Sequence, residues 1–158
     1  NAVGKGTTIY TRTNWANQFA HWPNVKKLPD LPYAGDKRED EPFHWGAGPY
    51  AGVLGLTFKP KAIFMIGFDL HPLVKDKVNN IYTGSKGYTY IKSPVDPRYW
   101  IYQFHKLMGY SDPDTRWIVV NHDRWEMPKE WSQHGNVFQE TYDGMAKFIN
   151  KQLNKKNV

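Results

Sequence analysis

The chain has 158 residues, and 21 Lys or Arg against 15 Asp or Glu give it a formal net charge of +6. The absence of cysteine excludes disulfide bonds, zinc–thiolate sites and thiol nucleophiles. No apolar run reaches the ~20 residues that a membrane-spanning helix needs, and no signal peptide opens the sequence. These features favour a single cytoplasmic domain over residues 1–158. The unusual start at Asn1, Ala2 and Val3 favours a piece of a longer natural chain.

The positive charge has two interpretations. The first is an anionic partner, such as a nucleic acid, a nucleotide or an acidic sugar. The second is a solvated surface, because lysines near the end of a closing helix interact favourably with its dipole. Four lysines are of this kind: Lys147, Lys151, Lys155 and Lys156. We favour the solvated surface for this cluster, and basic residues spread along the chain make nucleic acid the less favoured partner.

The first third of the chain predicts one strand and one short helix. Residues 7–12 are β-branched and aromatic, which is typical of a strand. A helix is predicted from Thr13 or Asn14 to about His21, because either residue can cap its start. Three aromatic residues lie on one face of this helix: Trp15, Phe19 and Trp22. The segment 24–42 is rich in proline and charge and predicts a long irregular connection.

The rest of the chain alternates apolar strands with helices. Residues 46–58 predict a helix of small and apolar residues, and 62–68 predict a strand that is buried on both faces. A second long loop is predicted at 73–97. The remaining predicted elements are a helix at 97–109, strands at 116–121 and 137–140, and an amphipathic helix at 142–153. Strands separated by helices favour an α/β fold of three layers with a mostly parallel sheet.

The start of the small-residue helix is the first candidate site. Gly46, Ala47 and Gly48 would present unpaired backbone N–H groups and the positive end of the helix dipole, which suit a phosphate or a carboxylate. Close packing of the helix on the sheet explains the same glycines equally well. His44 and Trp45 precede the helix and could form a stacking wall, although a tryptophan at this position is also typical of a hydrophobic staple.

The second candidate site follows the apolar strand. Asp69 and His71 lie at its carboxyl end, where open α/β sheets bind ligands, and the carboxylate could orient the imidazole as a general base. The alternative is a capping aspartate beside a surface histidine. In the loop that follows, Asn79, Asn80 and Tyr82 could hydrogen-bond a sugar or a base, although adjacent asparagines are also typical of turns.

The other histidines predict no metal centre. The six histidines of the chain are scattered and lack the spacing of metal ligands, so we expect neither a metal nor a cofactor. His105 falls inside an aromatic helix and is interpreted as a packing residue. His122 and Asp123 follow another predicted strand and belong to the rim of the candidate site. No serine lies in a nucleophile elbow.

The stretch at 55–71 also carries a family resemblance. It reads Gly-Leu-Thr-Phe-Lys-Pro-Lys-Ala-Ile-Phe-Met-Ile-Gly-Phe-Asp-Leu-His and follows a helix that opens with small residues. This arrangement resembles the core of the bacterial sialyltransferase-like glycosyltransferases and of their uncharacterised phage and bacterial relatives. The resemblance covers about residues 43–71, and segments 79–82 and 95–104 are similar to the uncharacterised relatives.

The resemblance implies a Rossmann-like fold and a nucleotide-sugar or sugar-phosphate site at the carboxyl edge of the sheet. Residues 46–48 would hold phosphate, Asp69 and Asn80 would orient the sugar, and His71 would be the base. The sequence departs from the family at the Gly-Asn-Gly-Pro-Ser-type loop, which is not found, and at His71, where the family has a tyrosine. It also has no match to the family's catalytic histidine between Pro72 and Arg98.

Two alternatives therefore accompany the transferase hypothesis. The first is a non-catalytic accessory or binding protein, of phage or bacterial type, that keeps the fold without the donor loop. The second is a nucleic-acid binder, which the charge and the aromatic content favour but no recognisable module supports. All three hypotheses depend on the start of the small-residue helix meeting the end of the strand that follows it at a shared crevice that side chains leave open.

Overall fold

The computed structural model of the chain describes residues 6–31, 45–70 and 97–155. Helices and strands alternate along these segments. In chain order they are β1 (Ile9–Thr11), α1 (Thr13–Gln18), β2 (Val25–Lys27), α2 (Ala47–Thr57), β3 (Ala62–Ile66), α3 (Arg98–Tyr110), β4 (Arg116–Asn121), α4 (Lys129–Ser132), β5 (Val137–Thr141) and α5 (Tyr142–Lys155).

The described strands form two parallel sheets. β1 pairs with β2, and β3, β4 and β5 form a three-stranded sheet with β4 in the middle. Helices separate the successive strands of the larger sheet, as parallel pairing requires. The predicted α/β class and the parallel pairing are confirmed, and the arrangement is compatible with a Rossmann-like fold. The strands are divided between two sheets, whereas the prediction combined them in one.

The larger sheet is covered on both faces by helices. On one face, Trp117 of β4 is fully buried against Phe104 of α3, with ring centroids 6.3 Å apart. On the opposite face, the ring of Phe64 in β3 lies 5.6 Å from that of Phe148 in α5. Because neighbouring residues of a strand alternate between faces, one apolar strand can serve both helical layers. These contacts give the three layers that the sequence predicts.

The small residues of α2 let it approach α3 and the sheet closely. A Cβ atom added at Gly52 would lie 3.0 Å from Cδ1 of Leu107 and 3.5 Å from Trp117. That separation is tighter than ordinary van der Waals contact, so glycine is needed at this position for the helices to pack at their observed distance. Tight packing explains why a helix so rich in glycine is stable here, although glycine is a weak helix former.

Two short elements differ from the prediction. β2 lies within 24–42, which the sequence predicts to be irregular, and it has only three residues paired with β1. α4 has four residues and lies in a stretch with no predicted element. The predicted strand at 62–68 ends earlier, at Ile66, because Gly67 takes a φ of 79°, which extended backbone does not adopt.

The first unit of the chain, β1 to β2, packs beside α2. Leu31, after β2, contacts the hydrophobic core. Burial raises the pKa of Tyr50 in α2, and the charges of Arg12 and Asp30 have smaller effects, the first lowering this pKa and the second raising it.

α1 ends at Gln18 and not at the predicted His21, so Phe19 and Trp22 follow the helix, but the three aromatic side chains still form a chain of ring contacts. Trp15 and Phe19 stack with ring centroids 6.1 Å apart.

None of the described helices is both long enough and apolar enough to cross a membrane.

Candidate functional site

The carboxyl ends of β3, β4 and β5 lie along one edge of the larger sheet. The register pairs Ile66 with Val120, and Asn121 with Thr141, so the residues that follow all three strands emerge at this edge. We call it the carboxyl edge. In parallel α/β sheets this is the edge at which ligands usually bind, in the crevice outside the carboxyl ends of the strands.

The start of α2 reaches the same edge. A Cβ atom added at Gly48 would lie 2.8 Å from Cε1 of Phe68, which follows β3 by two residues. The two ends that the sequence predicts to meet are therefore in direct contact. Phe68 in turn packs edge-to-face on Phe104 of α3, with ring centroids 4.9 Å apart. The ring of Phe68 thus fills the space between the helix start and the strand end, so the open crevice that the sequence predicts between these two ends is not found there.

The backbone at the start of α2 already has a protein partner. The N–H of Gly46 donates to Oε1 of Gln103 at 3.1 Å, and Gln103 is 1% exposed. A Cβ atom at Gly46 would lie 2.7 Å from Nε1 of Trp100. Gly46 and Gly48 are thus accounted for by close packing, which is the alternative that the sequence leaves open for them.

Trp45 packs as a hydrophobic staple. It is buried and precedes the N-cap residue Gly46, and its ring centroid lies 6.4 Å from that of Tyr50 in the first turns of α2. These are the two positions that a staple joins, one on each side of the cap. The contact fixes the direction from which the chain enters the helix, so Trp45 has a structural role whether or not a ligand binds nearby.

Asp69 lies on a sharply turned segment at the carboxyl edge. Gly67 and Leu70 on either side of it have positive φ values of 79° and 54°. Its backbone carbonyl accepts a hydrogen bond from the indole N–H of Trp125, which is 2% exposed. The backbone of Asp69 is therefore fixed against the loop after β4, while the residue as a whole is exposed to solvent.

Asn121 is the polar residue that sequence reasoning missed. It ends the middle strand and is 2% exposed, and its Oδ1 accepts the backbone N–H of His122 at 2.9 Å. Its Nδ2 has no hydrogen-bond partner among the described residues. A buried donor without an acceptor costs about 1–3 kcal/mol, so this amide calls for an oxygen supplied from elsewhere. The sequence signal that could have identified Asn121 is its position, as a polar residue at the end of an apolar strand.

The loop after β4 provides the rest of the described site. His122 and Asp123 are exposed directly beyond Asn121, and their predicted role on the rim of a binding site stays a prediction. Nε2 of Gln139 in β5 donates to the carbonyl of Trp125 at 2.6 Å, which fixes this loop against the third strand. The loop is thus held from both sides, by β3 through Asp69 and by β5 through Gln139.

The remaining candidates lie outside the described residues. They are His44, His71, Asn79, Asn80 and Tyr82, and their predicted roles stay predictions. Within the described ranges, no group of three or more His, Asp or Glu side chains is arranged to hold a metal ion.

A cavity of about 570 Å³ lies at the opposite edge of the sheet. It is lined by residues from the ends of α2 and α3 and from the turns that enter β3 and β4, with both signs of charge represented, as in Lys61 and Asp112. The amino ends of parallel strands seldom carry the chemistry of an α/β fold. We therefore place the candidate site at the carboxyl edge and not at this cavity.

Comparison with known proteins gives no match, whether with protein-family models, with curated proteins or with solved structures.

Proposed function

We propose that the chain binds a nucleotide-sugar or a sugar phosphate at the carboxyl edge of the β3–β4–β5 sheet, as a glycosyltransferase-like protein. The observation that carries the proposal is the buried Nδ2 of Asn121, which has no partner among the described residues. Sugar hydroxyls, base carbonyls and phosphate oxygens are all acceptors for such an amide. The net charge of +6 favours an anionic ligand of this class.

The geometry favours different roles for the site residues from those that the sequence predicts. The N–H of Gly46 is bonded to Gln103 and so does not contact phosphate in the proposal. The absence of side chains at Gly46 and Gly48 serves the packing of the helix start against Trp100 and Phe68. In the proposal, Asn121 donates to the ligand, and Asp69 at the neighbouring strand end orients a sugar hydroxyl. His71 is the general base if transfer takes place.

A non-catalytic binding protein is the second candidate function. The packing of Trp100 and Phe68 against the start of α2 favours it, because these rings lie beside the helix terminus that a leaving phosphate would have to approach. Binding at Asn121 is common to both candidates. They differ only in whether the bound nucleotide-sugar is cleaved.

Calorimetric titration with cytidine and uridine nucleotides and their sugar conjugates tests binding. Asn121→Asp keeps an oxygen to accept the N–H of His122 but removes the Nδ2 donor, and Asn150→Asp on the exposed surface of α5 is the matched change in charge. We expect Asn121→Asp to weaken binding at least about tenfold, which corresponds to one hydrogen bond, and Asn150→Asp to leave it unchanged. Failure of the unaltered chain to bind any of these ligands at millimolar concentration would refute the proposal.

Release of nucleotide from a nucleotide-sugar separates the two candidates. If the chain is a transferase, the bond between the sugar and the phosphate breaks as the sugar passes to an added acceptor hydroxyl or to water, which His71 deprotonates, and nucleotide is released. His71→Ala then abolishes the release while ligand affinity is retained. If it is a binding protein, the ligand binds with the same dependence on Asn121 and is recovered intact. The second result would exclude the transferase mechanism without removing the binding site.

A further inference from the structure

Two histidines from separate elements meet on the surface of α3, away from the carboxyl-edge residues. His105 belongs to α3, and His134 follows α4. Nε2 of His134 lies 2.9 Å from Nδ1 of His105, and the ring centroids are 4.8 Å apart with the planes inclined at 46°. Nδ1 of His105 also lies 2.9 Å from the backbone carbonyl oxygen of Glu130. Two atoms that can each offer a lone pair therefore lie 2.9 Å from the same ring nitrogen of His105.

If the two contacts at Nδ1 of His105 are both hydrogen bonds, they have to share a single proton. A carbonyl oxygen only accepts, so the contact with Glu130 requires a proton on Nδ1 of His105. Nε2 of His134 faces the same nitrogen and must then accept the same N–H. One proton serves two acceptors, and each contact is weaker than an undivided hydrogen bond.

The spacing also fits a metal ion. Imidazole nitrogens bind such ions at about 2.0–2.1 Å. Two of them are about 3.3 Å apart in a tetrahedral zinc site, but about 2.9 Å apart at the right angle of a six-coordinate site, which nickel and copper ions also accept. The value of 2.9 Å is the separation of the two ring nitrogens in the structure. The carbonyl of Glu130 is at the same distance from His105, so it can occupy a third position next to the imidazoles. Neutral imidazole is a preferred ligand of zinc, copper and nickel ions.

The protein environment holds the ligands in place. Trp131, next to Glu130, is fully buried, and its indole N–H donates to the carbonyl of Ile101 at 2.8 Å. Ile101 lies one helical turn before His105, so this bond fixes the separation of α3 and α4 beside the histidines. Burial, together with the neighbouring His105, lowers the pKa of His134, so its lone pair competes less with protons at neutral pH.

We propose that Nδ1 of His105, Nε2 of His134 and the carbonyl oxygen of Glu130 bind one divalent transition-metal ion of the zinc, nickel or copper class. Water completes the coordination, since the described residues hold no cluster of three His, Asp or Glu side chains. The bound ion replaces the shared proton and joins α3 to the segment between α4 and β5. Because the ion binds the folded chain and not the unfolded chain, it stabilises the folded state.

Calorimetric titration of the tag-free, chelator-treated chain with Zn²⁺, Ni²⁺ and Cu²⁺ salts tests the site. We expect one ion per chain and a rise in the melting temperature on addition of metal. His134→Gln and His105→Gln each weaken this binding at least about 100-fold, because losing one of two imidazoles removes a principal ligand. His21→Gln, which removes an exposed histidine elsewhere, leaves the affinity unchanged.

A measurement on the unaltered chain covers the case in which a variant fails to fold. Ni²⁺ is paramagnetic, so it should broaden the backbone amide signals of Gly109 and Gly135, which lie near the two histidines, and leave that of Gly6 sharp. Broadening confined to other histidines, equal loss of affinity in His21→Gln, or no stoichiometric binding at all would overturn the proposal. In the last case the two rings form only a hydrogen-bonded pair.

Discussion

The start of α2 and the end of β4 lie at the same edge of the sheet, and both present backbone or amide N–H donors. At the start of α2, the N–H of Gly46 is bonded to Gln103, and aromatic rings cover the glycines. At the end of β4, Nδ2 of Asn121 is buried without a partner among the described residues. The difference shows that availability of a donor is decided by its neighbours from other elements. A motif in the chain identifies donors but not which of them are free.

The largest expected effect comes from removing the ring that closes the start of α2. Phe104 is 1% exposed and contacts Phe68, Trp117 and Trp131 edge-to-face. Phe104→Ala should lower the free energy of unfolding by about 3–5 kcal/mol, measured by denaturant titration, because it leaves a large cavity. Phe58→Ala, at the opposite and exposed end of the same helix, should cost no more than about 0.5 kcal/mol. Equal effects would mean that the rings do not close this end.

Two glycines of α2 provide the next test. A Cβ atom at Gly48 would lie 2.8 Å from Phe68, whose ring is held by Phe104, whereas at Gly55 the nearest atom, Cδ1 of Ile63, is 3.7 Å away. Gly48→Ala should therefore destabilise the chain by about 1–3 kcal/mol through overpacking. Gly55→Ala should stabilise it by up to about 1 kcal/mol, because alanine favours helix. If thermal unfolding shows both substitutions to be stabilising, the start of α2 is open enough to admit a ligand.

A smaller effect is expected at the end of β4 in the ligand-free chain. Asn121→Leu loses one accepted hydrogen bond but also removes a buried donor without a partner, so it should cost less than about 1 kcal/mol. Asn136→Leu removes an amide that donates to Ser111 and to the carbonyl of Thr115, and it should cost about 2–3 kcal/mol. Denaturant titration of the two variants compares them directly. A loss at Asn121 as large as that at Asn136 would contradict the absence of a partner.

Most of the fold follows from local sequence signals. The glycine-rich helix, the apolar strands β3 and β4 and the amphipathic α5 each have enough residues for their periodicity to be recognised. The three residues of β2 do not, since Val25 is followed by two exposed lysines and the strand exists only through its pairing with β1. Pairing between segments is a tertiary property, and a three-residue strand has too little pattern to reveal it.

The candidate site was predictable in position but not in detail. A helix that precedes a parallel strand must start at the carboxyl edge, so the approach of Gly48 to the end of β3 follows from topology. The occupation of that region by Gln103 and Trp100 depends on how α3 packs, which the local pattern around residues 46–48 does not contain. The contact of His105 with His134 is hidden for the same reason, because 29 residues separate them in the chain.

The smallest expected effect concerns His134, whose pKa is lowered by its surroundings. Burial and the adjacent His105 lower the pKa of His134 below the 6.5 of an unperturbed histidine. The unfolded chain therefore binds more protons than the folded chain between the two pKa values, and stability rises with pH across that interval. As the pH falls through 6.5, the free energy of unfolding should decrease and then level off below the folded-state pKa.

His134→Gln isolates this contribution, because it removes the titrating group and leaves Glu130 and His105 in place. In metal-free buffer, denaturant titrations between pH 7.5 and 5 should show a shallower loss of stability for His134→Gln than for the unaltered chain. His21→Gln is the control, since His21 is exposed and its removal should not change the slope. A His134→Gln curve parallel to that of the unaltered chain would mean that the imidazole titrates freely. In that case contact with His105 does not change the protonation of His134, in contrast to the start of α2, where a neighbouring element does occupy the N–H of Gly46.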